Sequence, residues 1–466
     1  GASAPLAGGD GLANFRIDGT LTNAALVNIS VPGRVGNTLT VGSYVGLAGV
    51  MTITTVLGDD ASPTDRLIIN GGSASGTTVV QFTTSGAGGL TKGDGILIVD
   101  ARNGATTTPD SFKASGPLST PLYDYTFSRG GLTTPSDNWY LRSTYREELS
   151  DDAAVTPLTQ LYSLALVGTL HERVGDEMRL QGRTDLKDQV WGNGAWGRIL
   201  GLRGAWDGGG LQANGPAFDY HLYAVQGGID LYRREHDNGS RDHVGVLGSA
   251  GQVSSTVTSD AGNPAGGVTL DIKTFGATWT HFGESGWYVD GLAQYGWINA
   301  TLTSPRMRTV TKGTNLTASL EGGYPLALNG RTLFEPQAQL VYQRASFNPI
   351  TDALSTITLD NATEWTGRLG ARLSRTFGAQ SASAPQPRAT AWGRASLWKD
   401  FAGASALNID ATSIRATLGN SWLDLGGGGD VRLSGLFTLY GTISYQTAVS
   451  GSRHAITGSG GLRLNW

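Results

Sequence analysis

The 466-residue sequence has no cysteine, only 3 methionines and only 15% charged residues. Without cysteine there can be no disulfide framework and no thiolate metal site. The same absence suits a chain that crosses an oxidising compartment before folding, where stray disulfides would block export. A charged fraction of 15% lies well below the roughly one quarter usual in soluble domains. No run of Lys and Arg forms a patch and the net charge is only −4, so nucleic acid is not an expected partner. No stretch of about 18 apolar residues occurs, which excludes a transmembrane helix. Gly1 to Asp10 lacks the basic region and apolar core of an export signal. An exported protein needs one, so the sequence is expected to continue upstream. A chain of this kind spans a membrane only as a closed barrel, because an open sheet leaves backbone groups unpaired in hydrocarbon.

What the sequence does have is glycine and aromatics: 69 Gly, 12 Trp and 15 Tyr. With low charge, this composition suits strands that meet lipid on one face and water on the other. Three zones separate along the chain. Gly1 to about Glu147 is rich in Gly, Thr, Val and Leu. Short β-like runs (Thr38–Val41, Met51–Val56, Arg66–Ile69, Thr77–Phe82, Gly95–Val99) alternate with turn signals such as Gly58-Asp59-Asp60 and Asn70-Gly71-Gly72. No helical period and no strict repeat is legible, so the zone reads as a β-solenoid or a sandwich.

The second zone runs from about Glu148 to Asp176. Ser150, Asp151 and Asp152 could cap a helix, with Pro157 in its first turn. Leu158, Leu161, Tyr162, Ala165, Leu166, Thr169 and Leu170 recur at steps of three and four, which marks one helical face. The charged cluster His171-Glu172-Arg173 follows, and Gly175 is a plausible stop. Pro157 to Val174 predicts a rod of roughly 27 Å at 1.5 Å per residue, close to the ~30 Å thickness of a bilayer core. Length alone favours an ordinary core or interdomain helix.

The third zone, from Val190, carries about twelve long β-segments: Ala195–Trp206, Phe218–Arg233, His243–Val257, Val268–Phe282, Gly286–Leu302, Asn315–Leu328, Arg331–Ala345, Glu364–Phe377, Ala389–Phe401, Ser413–Leu425, Val431–Gln446 and His454–Trp466. They are far longer than the ~5–6 residues of globular strands, and an even count is the rule for bacterial single-chain barrels. In Val431–Gln446 one face is Val431, Leu433, Gly435, Phe437, Leu439, Gly441, Ile443 and Tyr445, against a largely polar face that includes Arg432. In Arg331–Ala345, Phe334, Pro336, Ala338, Leu340 and Tyr342 oppose Glu335, Gln337, Gln339 and Gln343. A soluble sandwich shows the same period with its apolar face inward. Here the apolar faces end in Trp287, Tyr295, Trp297, Tyr342, Tyr445 and Trp466, as the girdles of a lipid-facing barrel do. In the last segment Ile456, Gly458, Gly460, Leu462, Leu464 and Trp466 share one face, with Thr457, Ser459, Gly461, Arg463 and Asn465 on the other.

These features resemble the monomeric autotransporters of the type V secretion pathway, in the pertactin-like branch. The resemblance covers nearly the whole chain. Asn37-Thr38-Leu39-Thr40-Val41, Asp65-Arg66-Leu67-Ile68-Ile69-Asn70-Gly71, Ile96-Leu97-Ile98-Val99 and Asn138-Trp139-Tyr140-Leu141 are similar to the C-terminal end of a passenger. Tyr145-Arg146-Glu147-Glu148 and Leu170-His171-Glu172-Arg173-Val174-Gly175 resemble the linker. Trp191 to Trp206 and Phe334 to Leu340 resemble barrel strands.

The resemblance implies an all-β fold: a twelve-stranded antiparallel transmembrane β-barrel with a lumenal α-helix, preceded by the C-terminal part of a right-handed parallel β-helix. Expected domains are 1–147 (passenger end and autochaperone), 148–178 (linker with the pore helix) and 179–466 (outer-membrane translocator). Leu158, Leu161, Tyr162, Leu166, Leu170, His171 and Arg173 are expected on the pore helix. Glu335, Gln337, Gln339, Arg432 and Arg463 are expected to face the lumen. Ile456, Leu462, Leu464 and Trp466 are expected to form the strand read during barrel assembly. The implied function is export and display of an N-terminal passenger, an adhesin or virulence factor, from the outer membrane of a Gram-negative bacterium. The alternative is a passenger protease or esterase whose catalytic part lies upstream. Implied partners are outer-membrane lipid, the barrel-assembly machinery, periplasmic chaperones, the chain's own passenger and a host-cell surface.

No catalytic, cofactor or metal residue is expected in this chain. Gly72-Ser73-Ala74-Ser75-Gly76 has the spacing of a nucleophile elbow but not its strand-to-helix frame, and reads as a turn. His171-Glu172 lacks the second His of a zinc helix. Asp59-Asp60 and Asp151-Asp152 are explained by a loop and a helix start. Some autotransporters cut their own linker through adjacent Asn residues. No such pair lies between Glu148 and Asp176, so that reaction is not expected here.

Overall fold

The computed structural model describes residues 6–7, 11–176, 190–378, 388–402, 405–410, 412–416, 421–434 and 436–466. The chain divides into two compact units, Gly1–Arg146 and Glu147–Trp466.

The first unit is built on β1 (Ala13–Asn23), β2 (Thr38–Val56), β3 (Arg66–Asn70), β4 (Ser73–Ser85) and β5 (Ile96–Arg102), which pair in parallel as successive coils. Leu39, Leu67 and Val99 form one buried column, and Val41 and Ile69 another. The coil step is not constant: Asn14 to Thr38 is 24 residues, Thr38 to Arg66 is 28 and Leu67 to Val99 is 32. This variation hides the repeat in the sequence. Parallel coils, not a sandwich, are the outcome. Gly72 to Gly76 is not a free turn, because Ser73 already opens β4.

Polar groups at the coil corners are satisfied in a ladder. Asp65 Oδ1 accepts the Asn37 backbone N–H and side-chain amide, each at 2.8 Å, and its Oδ2 accepts Thr54 N–H at 2.8 Å. Asn37 Oδ1 in turn accepts Ala13 N–H at 3.0 Å. The stack ends on an antiparallel hairpin, β6 (Tyr123–Arg129) and β7 (Trp139–Tyr145), with β7 antiparallel to β5. The hairpin covers what would otherwise be an open parallel edge.

The second unit is a closed antiparallel barrel of twelve strands: β8 (Trp191–Gly210), β9 (Gly215–Glu235), β10 (Arg241–Thr258), β11 (Pro264–Phe282), β12 (Tyr288–Thr303), β13 (Arg308–Gly323), β14 (Thr332–Phe347), β15 (Ala362–Phe377), β16 (Arg388–Ala402), β17 (Ser421–Arg432), β18 (Phe437–Ala448) and β19 (Ser452–Asn465). It closes where β8 pairs with β19, Ala195 beside Leu464 and Arg203 beside Ile456. Burial alternates along the strands, as in β12. The exposed set is apolar: Ile199, Phe275, Trp297, Leu340, Leu369 and Ile443 among others. The buried set mixes apolar side chains, such as Leu222, Ile272 and Leu292, with charged and polar ones, such as Arg198, Asp290, Glu321 and Gln339, so nearly all the enclosed charge lies within and the greasy face outside.

Three sequence-based boundaries are corrected. The segment Val431–Gln446 is not one strand; the chain turns between Arg432 and Phe437. That turn keeps the period-two phase, leaving Val431 and Phe437 both exposed, and it carries Leu433 and Leu436, which are not turn-forming residues. Ser413–Leu425 merges the short strand Thr412–Ala416 with the start of β17. Thr412–Ala416 belongs instead to a four-stranded sheet with Ile350–Thr351, Thr356–Leu359 and Ser405–Ile409. The strand expected from Asn315 to Leu328 begins at Arg308 and ends at Gly323, where Leu326–Asn329 starts a separate small hairpin with β14.

The helix also differs. It starts at Glu148, not Pro157, and runs to Val167 as α1; after a break α2 spans Leu170–Val174. Ser150, Asp151 and Asp152 lie inside α1 rather than capping it, and Pro157 sits in its interior. Nor does α1 bury one stripe. Thr156, Thr159, Gln160 and Ser163 are as buried as Leu158, Leu161 and Tyr162, because the wall meets polar and apolar faces of the helix alike.

Candidate functional site

The helix runs within the barrel, and the wall holds it by directed polar contacts. The break at Gly168, which adopts φ 50°, frees the last carbonyls of α1. Three carbonyls at the break acquire side-chain donors. Arg198 reaches Leu166 O, Arg173 Nη1 reaches Val167 O at 3.4 Å, and Gln339 Nε2 reaches Gly168 O at 2.9 Å. Thr169 then starts α2 with a capping box: its hydroxyl accepts Glu172 N–H at 3.3 Å while Glu172 Oε2 accepts Thr169 N–H at 2.9 Å.

Ion pairs run from α2 to several strands of the wall. Arg173 Nη2 lies 2.6 Å from Asp290 Oδ2 on β12, and both side chains are fully enclosed. Glu172 Oε1 lies 2.9 Å from Arg394 Nη2 on β16, which also reaches Asp424 at 3.2 Å on β17. His171 Nε2 lies 2.9 Å from Glu335 Oε1 on β14. Leu170 N–H donates to Glu321 Oε2 on β13 at 2.9 Å, and Tyr440 on β18 donates to Arg173 O at 2.7 Å. Along α1, Gln343 Nε2 reaches Gln160 O at 3.0 Å, and Asn315 donates to the Ser163 hydroxyl. Each such pair is weak evidence for stability by itself. Together, contacts from β8, β12, β13, β14, β16 and β18 fix the depth and rotation of the helix.

The residues singled out from the sequence fall as follows. Leu158, Leu161, Tyr162, Leu166, Leu170, His171 and Arg173 are buried against the wall. Glu335, Gln337 and Gln339 lie on the inner face of β14, where Gln337 donates to Glu335 at 2.6 Å and Arg368 donates to Gln337 and Gln339. Arg463 is buried on β19 and binds Asp230 at 2.6 Å. Arg432 is buried at the end of β17. On the opposite, outer face of the last strand, Ile456, Leu462 and Trp466 are exposed and Leu464 is half-buried.

Sequence reasoning missed most of the wall's charges: Arg198, Asp290, Glu321, Arg368, Arg394 and Asp424. A signal was present. Each stands in a long β-segment, out of phase with the aromatic face, where a charge has no reason to be unless it meets something polar. Among the described residues, no group of three His, Asp or Glu could hold a metal, and no helix is long and apolar enough to cross a membrane.

Residues 195–444 match the autotransporter beta-domain family and residues 18–127 match the type 1 autochaperone domain. Over 98% of its length the chain is 31% identical to the adhesin BmaC autotransporter of Brucella suis biovar 1, covering 14% of that protein. Over 66% of its length it is 27% identical to the autotransporter adhesin AIDA-I of Escherichia coli, covering 25% of it. The chain thus spans a minor part of these curated relatives. Its fold is similar to the solved transport unit of AIDA-I from Escherichia coli, with a TM-score of 0.55 and 18% identity, over 69% of this chain and 100% of that one. Barrels of this kind sit in the Gram-negative outer membrane with the passenger displayed at the surface. The chain belongs to the autotransporter family, as an outer-membrane translocation unit preceded by an autochaperone domain.

Proposed function

We propose that residues 1–147 are the end of a passenger and promote its folding, that residues 148–178 link it through the pore, and that residues 179–466 carry it across the outer membrane. The observation that carries this reading is a helix enclosed by a polar barrel wall, with its freed carbonyls and charges met by Arg198, Gln339, Asp290 and Arg394. Such a helix is held as cargo in transit is held at the end of export. No nucleotide supply is available at that membrane, so outward bias must come from folding of the exported segment.

The lipid-facing row Ile456, Leu462, Leu464 and Trp466 on the last strand is proposed as the feature read by the barrel-assembly machinery, after delivery by periplasmic chaperones. For the whole protein we propose an adhesive passenger that meets a host-cell surface. The support is that the relatives BmaC and AIDA-I are themselves named adhesins. On this reading no residue of the present chain is catalytic, and a passenger protease or esterase is the disfavoured alternative.

The test is expression of the chain behind an export signal, followed by protease treatment of intact cells. Residues before Glu148 should be removed while a barrel that migrates differently before and after boiling remains. Protection of the N-terminal unit in intact cells, with the barrel correctly folded, would overturn the proposal.

A further inference from the structure

We propose that the outer wall of the barrel carries a binding site for a phosphorylated outer-leaflet lipid, anchored by Lys273. The inference rests on the membrane assignment above and adds a ligand to it.

The site starts from an oddity of charge. Cations facing the lumen are arginines, such as Arg198, Arg368 and Arg394, whose forked guanidinium suits fixed networks. The described barrel has three lysines, Lys273, Lys312 and Lys399, and all three are exposed. Lys273 has no hydrogen bond or ion pair with any described residue.

Its level in the wall follows from register. Lys273 pairs with Ala250 and Trp297. One row to one side lie Gly248, Phe275 and Tyr295; one row to the other lie Gln252, Asp271 and Asn299. Lys273 therefore stands where the outward face changes from apolar to polar, beside an aromatic ring, as at a headgroup boundary. The boundary is the extracellular one. β12 runs past Trp297 and Asn299 toward the turn holding Arg306, and Arg306 lies 3.6 Å from Glu148 at the passenger end of α1.

Beside Lys273 the wall is hollowed into a groove of about 940 Å³. It runs across the wall along the register row of Lys273: Lys273 and Trp297 stand at one end, Ala250, Val225 and Ile199 follow, and the bare backbone of Gly458 and Gly460 lies at the other end, four strands from Lys273. A hollow of this kind loses dispersion contacts unless an acyl chain fills it. Asp271, the acid one row away, accepts the Gln252 amide at 2.8 Å and makes no ion pair with Lys273; its charge opposes a phosphate, so the ammonium has to outweigh it. An ammonium at one end of an apolar groove that reaches four strands across the wall matches a lipid with a phosphate at its head and several acyl chains. Lys273 would bind the phosphate and the glycine end of the groove would seat the outermost chain.

The test is native mass spectrometry of the full chain in mild detergent, titrated with lipid A bearing its phosphates, dephosphorylated lipid A, or phosphatidylcholine. All proteins carry Lys399→Gln, to silence a smaller groove of about 610 Å³ that Lys399 borders. Two variants report separately. Lys273→Gln removes the anchor. Gly460→Leu fills the slot, and a Cβ there meets nothing within 4 Å, so the barrel should accept it. Expected is about tenfold preference for the phosphorylated lipid, equivalent to about 1.4 kcal/mol. Lys273→Gln should abolish that preference, and Gly460→Leu should weaken all three lipids. Absence of the preference in the parent, its survival in folded Lys273→Gln, or unchanged binding of all three lipids in folded Gly460→Leu would overturn the site. Surface display of the passenger should be unchanged in either variant, which separates failure here from failure of the export function.

Discussion

Trp398 and Trp422 lie face to face on the inner wall of the barrel, their ring centroids 5.7 Å apart and their planes 3° from parallel. They are register partners on β16 and β17. Arg368 sits 5.6 Å from the centre of Trp398, and Arg453 sits 4.1 Å from that of Trp422, a placement that adds cation–π attraction. The helix α1 packs toward β9 to β14, so this stack fills the side that α1 leaves open. The lumenal cavity remaining beside it is about 50 Å³, room for one or two waters.

The stack should therefore act as a second seal. The double variant Trp398→Ala, Trp422→Ala is expected to conduct ions in planar bilayers although the helix is still in place. Trp422→Phe, which keeps a ring, is expected to stay closed. A silent double variant with normal folded mobility would assign the whole barrier to the helix.

The enclosed pair Arg173–Asp290 should be asymmetric in its response to mutation. Asp290 also accepts the Thr280 hydroxyl at 2.6 Å, so its carboxylate is doubly engaged. Asp290→Ala leaves a guanidinium enclosed with its main counter-charge gone, a change that costs about 3–5 kcal/mol. Arg173→Met with Asp290→Leu removes both charges and should cost much less. The measurement is the temperature at which the folded barrel loses its fast electrophoretic mobility. Equal losses in the two variants would show that the pair does not position α2.

The parts of the fold that the sequence disclosed are those where lipid imposes a rule on every second residue. Phe334, Ala338, Leu340 and Tyr342 announce β14 because no polar residue can take their places. The helix was legible as an element, but its single apolar face was not real: Gln160 and Ser163 meet Gln343 and Asn315 on a wall that sequence does not display. The coils of the first unit were illegible as a repeat because Leu39, Leu67 and Val99 stack at unequal steps. The wall charges were missed for a different reason. Asp290 and Arg173 are 117 residues apart, and nothing local to either names the other.

Asp60 gives the first unit a defined acid sensitivity. Partial burial draws its pKa upward, but backbone N–H groups of Lys92, Gly93 and Gly95 donate to its carboxylate at 2.7, 3.0 and 2.8 Å and outweigh this, so the net shift is downward. A group held below its unfolded value contributes stability that is present above that unfolded value, roughly pH 4, and is lost as pH falls through the folded one. The melting temperature of purified residues 1–146 should drop across that acid window. Asp60→Asn should melt lower at neutral pH and show a shallower acid drop. If the variant keeps the parent's full acid drop, other carboxylates are responsible.

The hairpin that ends the coils turns on Trp139. Its ring lies 5.5 Å from Phe112 and 5.2 Å from Phe127, and its indole N–H donates to Thr107 at 3.0 Å. It thereby ties β7 to the strand before it, β6, and to the last coil. Trp→Ala at such a site typically costs about 3–5 kcal/mol, a large fraction of the stability of one small unit. If folding of this unit outside the cell biases export, Trp139→Ala should slow the appearance of passenger at the surface and leave more of it open to protease on intact cells. The barrel itself should be unaffected, because Trp139 belongs to the other compact unit; its heat-dependent mobility is the internal control. Trp139→Phe, which keeps the ring contacts and loses only the hydrogen bond to Thr107, should recover most of the rate. Unchanged display kinetics in Trp139→Ala, with the first unit demonstrably unfolded, would separate export from folding and leave the barrel to move its cargo by other means.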